Sequence, residues 1–80
     1  MNLYAIRDKI RAECQPPFTA KNDQEGLRII GISLSKDPYA IQHADEFELW
    51  WLGHWDPETG VIETGSKPSI VTPNINTEEV

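Results

Sequence analysis

The chain opens on an alternating stretch. Leu3-Tyr4-Ala5-Ile6 is apolar on both faces of an extended segment, and Arg7, Lys9 and Arg11 then alternate with Asp8 and Ile10. Successive side chains of a strand point to opposite faces, so a strand over Leu3–Arg11 sets three cations in a row on one face. As a helix the same residues would fan over a wide arc. Gln15-Pro16-Pro17 stops the pattern, because proline cannot donate to a ladder. Phe18-Thr19-Ala20-Lys21 then resumes as a short second strand.

The period changes after Lys21. Asn22 and Asp23 are both residues that cap a helix by accepting from free backbone N–H groups, and Asp23 and Glu25 place negative charge at the positive end of its dipole. Leu27, Ile30, Gly31 and Leu34 recur at helical spacing, with Ile29 and Ile32 off that stripe. Ile29-Ile30-Gly31-Ile32 alone would read equally well as a strand. The cap and the length of the periodic stretch decide for a helix, although Gly26 and Gly31 each cost about 1 kcal/mol relative to Ala. Lys36-Asp37-Pro38 ends it, and 38–45 reads as a polar connection.

Glu46 to Trp55 has strong strand composition. Alternation puts Phe47, Leu49, Trp51, Gly53 and Trp55 on one face and Glu48, Trp50, Leu52 and His54 on the other. Asp56-Pro57 suits the first two positions of a type I turn, and Gly60 suits the left-handed residue that follows. Val61-Ile62-Glu63 is the short return strand. Beyond Thr64 the residues are mostly polar or breaking, and only Ile70-Val71 has packing character. The expected fold is α+β: a small antiparallel four-stranded sheet, ordered β-β-α-β-β, with one helix packed on a face. It forms a single domain over 1–64, with a mobile tail over 65–80.

Composition sharpens this. A chain of 80 residues buries only about 60% of the surface it exposes when unfolded, so its three Trp, two Tyr and two Phe carry much of the core. There is no apolar run long enough to span a membrane and no signal-peptide pattern at the start. A lone Cys14 forms no internal disulfide, which points to a reducing, cytoplasmic setting. The net charge of −6 is unevenly spread: residues 1–28 hold five basic side chains against four acidic, and residues 29–80 hold two against nine. The first part therefore offers a local cationic surface despite the bulk acidity.

No catalytic or metal centre is expected. Cys14 with His43 or His54 is a nucleophile-and-base combination on paper, but no reactive microenvironment is visible, and a half-buried small residue near a turn explains it. His43, Asp45 and His54 fit no closed zinc pattern. Gly26, Gly31 and Gly53 are isolated and make no phosphate loop, so no cofactor is expected.

Two features do carry function. Trp50 and Trp51 are adjacent, so they face opposite sides of the strand. If the helix covers one side, the other indole is exposed or needs a second cover, where it stacks on a base or anchors a partner protein. Tyr4 and Phe18 are candidates to join that platform. The cations Arg7, Lys9 and Arg11, with Lys21, have the chemistry for phosphate contacts. The competing reading of that row is a solvated face paired with neighbouring acids.

Leu3-Tyr4-Ala5-Ile6-Arg7-Asp8, Pro17-Phe18-Thr19-Ala20-Lys21-Asn22-Asp23, Arg28, Phe47-Glu48-Leu49-Trp50 and Leu52-Gly53-His54-Trp55-Asp56-Pro57-Glu58-Thr59-Gly60 together resemble the small nonstructural protein of gokushoviruses, single-stranded DNA phages of the Microviridae. The resemblance runs over most of residues 2–62. It implies a protein made in the host bacterial cytoplasm and absent from the capsid. It also implies DNA binding or a replication-associated role at the switch to single-stranded genome synthesis. It brings no catalytic residues.

Two functional readings follow. The first is a nonenzymatic accessory protein of phage replication that contacts single-stranded DNA through Arg7, Lys9, Arg11 and Lys21, with Tyr4, Phe18 or Trp50 stacking on bases. The alternative is a protein-interaction module, either a homodimer or an adaptor for phage or host replication proteins, without direct DNA contact.

Overall fold

The computed structural model describes residues 1–72. Its sheet is antiparallel and has five strands rather than four: β1 (Asn2–Asp8), β2 (Glu13–Cys14), β3 (Phe18–Ala20), β4 (Phe47–Trp55) and β5 (Ile62–Val71). Strand β1 is central. One of its edges carries β4 along its whole length, Asn2 opposite His54 through Asp8 opposite Phe47. Its other edge is shared by β3, which pairs Asn2–Tyr4, and β2, which pairs Arg7 and Asp8. Strand β5 lies outside β4.

Strand β1 is shorter than the alternation suggests. It ends at Asp8, whose Oδ1 accepts from the backbone N–H of Ile10 at 3.0 Å and of Arg11 at 3.1 Å. That side chain offers the backbone an alternative to the ladder. Ala12 then takes a left-handed φ of 57°, and the chain reverses into β2. Lys9 and Arg11 therefore lie in a turn, not in a row with Arg7 on a strand face.

Helix α1 (Asp23–Ser35) is capped by Asn22, whose side chain accepts from the Glu25 N–H at 2.9 Å. Glu25 reaches back to accept from the Lys21 N–H at 2.7 Å, so two of the donors at the helix entry are satisfied. Lys36 closes the helix. Asp37 then caps a short second helix, α2 (Pro38–Gln42), with Pro38 in its first turn, and a single 3₁₀ turn (Ala44–Glu46) leads into β4. The expected polar connection is thus mostly helical.

Helix α1 lies on one sheet face over a core of Tyr4, Ala20 and Leu49, with Phe18, Leu27, Ile29, Ile30, Trp51 and Val71 packed against it. Burying a side chain such as Leu49 contributes about 1.5–3 kcal/mol. The buried side of α1 is turned toward Gly26 and away from Gly31, which is exposed. A Cβ on Gly26 would stand 3.0 Å from Leu49 Cδ2 and 3.5 Å from the Tyr4 ring. The missing side chain lets the helix lie close against the sheet at this point.

The hairpin between β4 and β5 turns on Asp56–Gly60 as its sequence predicts. Gly60 has φ 78° and donates to the Asp56 carbonyl at 2.7 Å, while Asp56 Oδ1 accepts from the Glu58 N–H at 2.9 Å. The return strand continues much further than Glu63. Ser69, Ile70 and Val71 pair with Trp51, Trp50 and Leu49, so the expected tail does not begin at residue 65. The four residues 65–68 bulge out opposite Leu52, which is how an edge strand accommodates Pro68. The remainder of that expected tail, 73–80, lies outside the described residues.

Candidate nucleic-acid interface

The sheet face opposite α1 carries no second layer among the described residues. Register assigns its occupants. Tyr4 is opposite Trp51 and Ala5 opposite Trp50, so Trp51 goes to the helix side and Trp50 to the open side. Trp51 Nε1 donates to Asn2 Oδ1 at 3.3 Å. Between Trp51 and Gly53 the ladder shifts: Leu3 pairs with Gly53, while the next residue, Tyr4, pairs with Trp51. The inserted Leu52 breaks the alternation, so beyond it the faces exchange. Trp55, expected beside Trp51, therefore lies on Trp50's side, where it pairs with Ile62, as Trp50 pairs with Ile70. Ile62 and Ile70 are each 54% exposed.

Trp50 is held from two directions. Its Nε1 donates to Glu48 Oε1 at 3.1 Å, and the Arg7 guanidinium carbon sits 4.6 Å from the ring centroid. Arg7 is on the same face because it pairs with Glu48, two residues from Trp50. The Arg7 Nη1 also points toward Cys14 Sγ at 3.7 Å. A cation over an indole is worth about 0.5–1 kcal/mol at an exposed site. Chemically the pair presents a planar cation backed by an aromatic ring, which can pair with a phosphate or stack on a base.

The other expected contacts divide. Lys9 and Arg11 are exposed in the turn that follows Arg7, so they extend the cationic surface off the end of the sheet. Arg11 Nε lies 3.4 Å from Glu13 Oε1 in an exposed pair, which holds it only weakly. Lys21 follows β3, whose Ala20 pairs with Asn2 at the other end of β1. It is separated from the turn by most of the strand's length, about 20 Å.

Tyr4 is not available as a stacking platform. It is fully buried under α1, and its hydroxyl donates to Asp23 Oδ1 at 2.6 Å. Burial first, and then the neighbouring Asp23 carboxylate, push its pKa up to about 12. Phe18 is stacked on Tyr4 with ring centroids 6.0 Å apart and belongs to the same core. The sequence leaves both free to join the platform because Leu3–Ile6 is apolar at every position. Pairing with β4 shows that Tyr4 takes the helix side.

The residues that sequence reasoning passes over are Ile62 and Ile70 on the open face, and Tyr39; Trp55 it places on Trp51's face instead of Trp50's. Tyr39 stacks on His43 with centroids 4.3 Å apart, and His43 Nδ1 is 3.0 Å from Glu46 Oε2. The Glu46 carboxylate raises the Tyr39 pKa above its ordinary value. A glycine inside a strand pattern is a bulge signal, so Gly53 is the clue to Trp55. Among the described residues no three His, Cys, Asp or Glu side chains are grouped to hold a metal ion, and no helix is long and apolar enough to cross a membrane.

Against known proteins, a family model described as phage ORF5 protein matches residues 1–77. No curated protein and no solved structure matches the chain.

Proposed function

The chain belongs to the phage ORF5 protein family, and from that membership we propose that it is a nonenzymatic accessory protein of phage genome replication that contacts single-stranded DNA on its open sheet face. It would act in the host cytoplasm, at the switch to single-stranded genome synthesis, as the gokushovirus-like motifs imply. The observation that carries the reading is Arg7 stacked over Trp50 on an uncovered face, continuous with Lys9 and Arg11 in the next turn. Aromatic rings beside a cationic track are what single-strand binding needs, because every base has a π-face and every nucleotide a phosphate. Phosphate contacts by Arg7, Lys9 and Arg11 make binding weaken as salt rises, and the net charge of −6 adds a long-range repulsion that those contacts must overcome. The test is a titration of the protein with an oligonucleotide at low salt, following tryptophan fluorescence. Quenching that salt reverses is expected. An unchanged signal at micromolar protein overturns the reading.

A second reading rests on Ile62 and Ile70, both half exposed on the outer strand beside Trp55 and Trp50. An apolar face ending in a strand edge that is unpaired among the described residues suits a protein partner: a second copy of the chain, or a phage or host replication protein. Light scattering on a size-exclusion column distinguishes the homodimer. A monomer at high concentration rules it out.

A further inference from the structure

Arg7 and Glu48 stand opposite each other in the ladder between β1 and β4, a position where opposite charges ordinarily pair. Here they do not. Glu48 Oε1 accepts from Trp50 Nε1 at 3.1 Å instead, and Arg7 makes no ion pair among the described residues. Its guanidinium carbon lies 4.6 Å from the centre of the Trp50 ring, and Nη1 is 3.7 Å from Cys14 Sγ, a weak acceptor. The cation is thus left without a counter-charge, over an indole that Glu48 holds independently of it. Ala5, opposite Trp50, is only 1% exposed although no second layer covers this face. The large side chains around Ala5 therefore lie along the sheet, and Arg7 occupies ring surface that a stacking base would need.

We propose that Arg7 holds the place of a nucleobase on Trp50 in the free protein, and that on binding of single-stranded DNA a base takes the ring while Arg7 moves its guanidinium to the adjoining phosphate. The inference rests on the single-stranded DNA reading above and assigns the contacts within it: Trp50 takes the base, Arg7 takes the phosphate, and Glu48 positions the indole. The strengths of the contacts set the direction of the exchange. A base stacked on an aromatic ring is a stronger contact than an exposed cation over the same ring. A guanidinium also makes two parallel charge-assisted hydrogen bonds to a phosphate, against one weak contact to a thiol. Glu48 serves the exchange twice. Its bond to the indole N–H keeps the ring in place when Arg7 leaves, and the same bond turns the carboxylate away from Arg7, which stays free for an anion.

The test is NMR of the full wild-type chain titrated with oligo(dT) of about ten nucleotides at low salt, read at the δ-methylene protons of Arg7. The ring current of Trp50 shifts these protons upfield while the guanidinium lies over the ring. At saturation they are expected to return to the ordinary arginine position. If they stay upfield while other resonances report binding, the exchange is overturned and DNA binding stands. If no resonance responds, the inference and the reading beneath it both fail. Two sets of variants, followed by fluorescence polarisation, test the assigned roles. Arg7→Gln is expected to lower the slope of log affinity against log salt by about 0.7, the share of one phosphate; an unchanged slope overturns the phosphate contact. Glu48→Gln and Glu48→Ala remove the same charge, but only Gln keeps an acceptor for the indole N–H. Glu48→Gln is expected to bind several-fold more tightly than Glu48→Ala, and equal affinities overturn the positioning role of Glu48.

Discussion

The hydroxyl of Tyr4 donates to Asp23 Oδ1 at 2.6 Å, joining the central strand to the first turn of the helix that covers it. It is one of the few polar ties across a core this small. Replacing Tyr4 with Phe keeps the ring against Phe18 and Leu49 and removes only the donor. A hydrogen bond to a charged group contributes about 1.5–3 kcal/mol, and Asp23 stays partly solvated, so the loss belongs at the lower end. Urea unfolding followed by far-ultraviolet circular dichroism should show a lower midpoint with an unchanged slope.

The same tyrosine makes stability depend on alkaline pH. Its pKa is raised in the fold from 10.0 to about 12, chiefly by burial and then by Asp23. Folding therefore favours the neutral phenol. That contribution is complete below the unfolded-state value of 10.0 and is lost as pH rises through about 12. Denaturant midpoints measured between roughly pH 9 and pH 12 should fall in the wild type. In Tyr4→Phe the fall should be shallower. Parallel curves would show that the phenol does not titrate with unfolding.

The glycines of α1 separate helix propensity from packing. Gly31 is exposed, and a Cβ there would meet nothing within 4 Å. Gly31→Ala should raise stability by about 1 kcal/mol, the ordinary helix-interior difference. Gly26→Ala has the same propensity gain, but its Cβ would press on Leu49 Cδ2 at 3.0 Å, so the net gain should be smaller. Gly26→Leu should destabilise by about 1–3 kcal/mol through overpacking. Thermal melts of the three variants check the order.

Much of this architecture is legible in the sequence because single residues dictate it. Asn22 and Asp37 cap, Pro38 breaks, and Asp56 to Gly60 turn, each through local backbone chemistry. What could not be read depends on pairing. Asp8 starts a turn without Gly or Pro, so the charges after it look like a continuing strand. Leu52 reverses the faces only because Leu3 and Tyr4 choose Gly53 and Trp51 as partners. Residues 69–71 look like tail until Leu49–Trp51 supply a ladder for them. The candidate site follows the same division. Arg7 and Trp50 are each legible as candidates, but that they share a face is set by the pairing of Arg7 with Glu48. Tyr4 and Phe18 are removed from it by the side on which α1 packs, which local pattern does not specify.

That division yields a prediction about the cations. Lys9 and Arg11 stand in the turn beyond Arg7, while Lys21 sits past β3 at the opposite end of β1. If the strand crosses Trp50 and leaves over the turn, each of the first two neutralises a phosphate and Lys21 does not. For single strands the slope of log affinity against log salt falls in magnitude by about 0.7 for each phosphate no longer neutralised. Lys9→Gln and Arg11→Gln should each reduce the slope by roughly that amount, with Lys21→Gln leaving it unchanged. Glu13 lies 3.4 Å from Arg11, but that pair is solvated and yields readily to a phosphate, so Arg11 should count in full. Oligonucleotide titrations at several salt concentrations measure all three slopes. A reduction in Lys21→Gln equal to that in the turn variants would mean that the strand runs along β1 toward its N-terminal end instead.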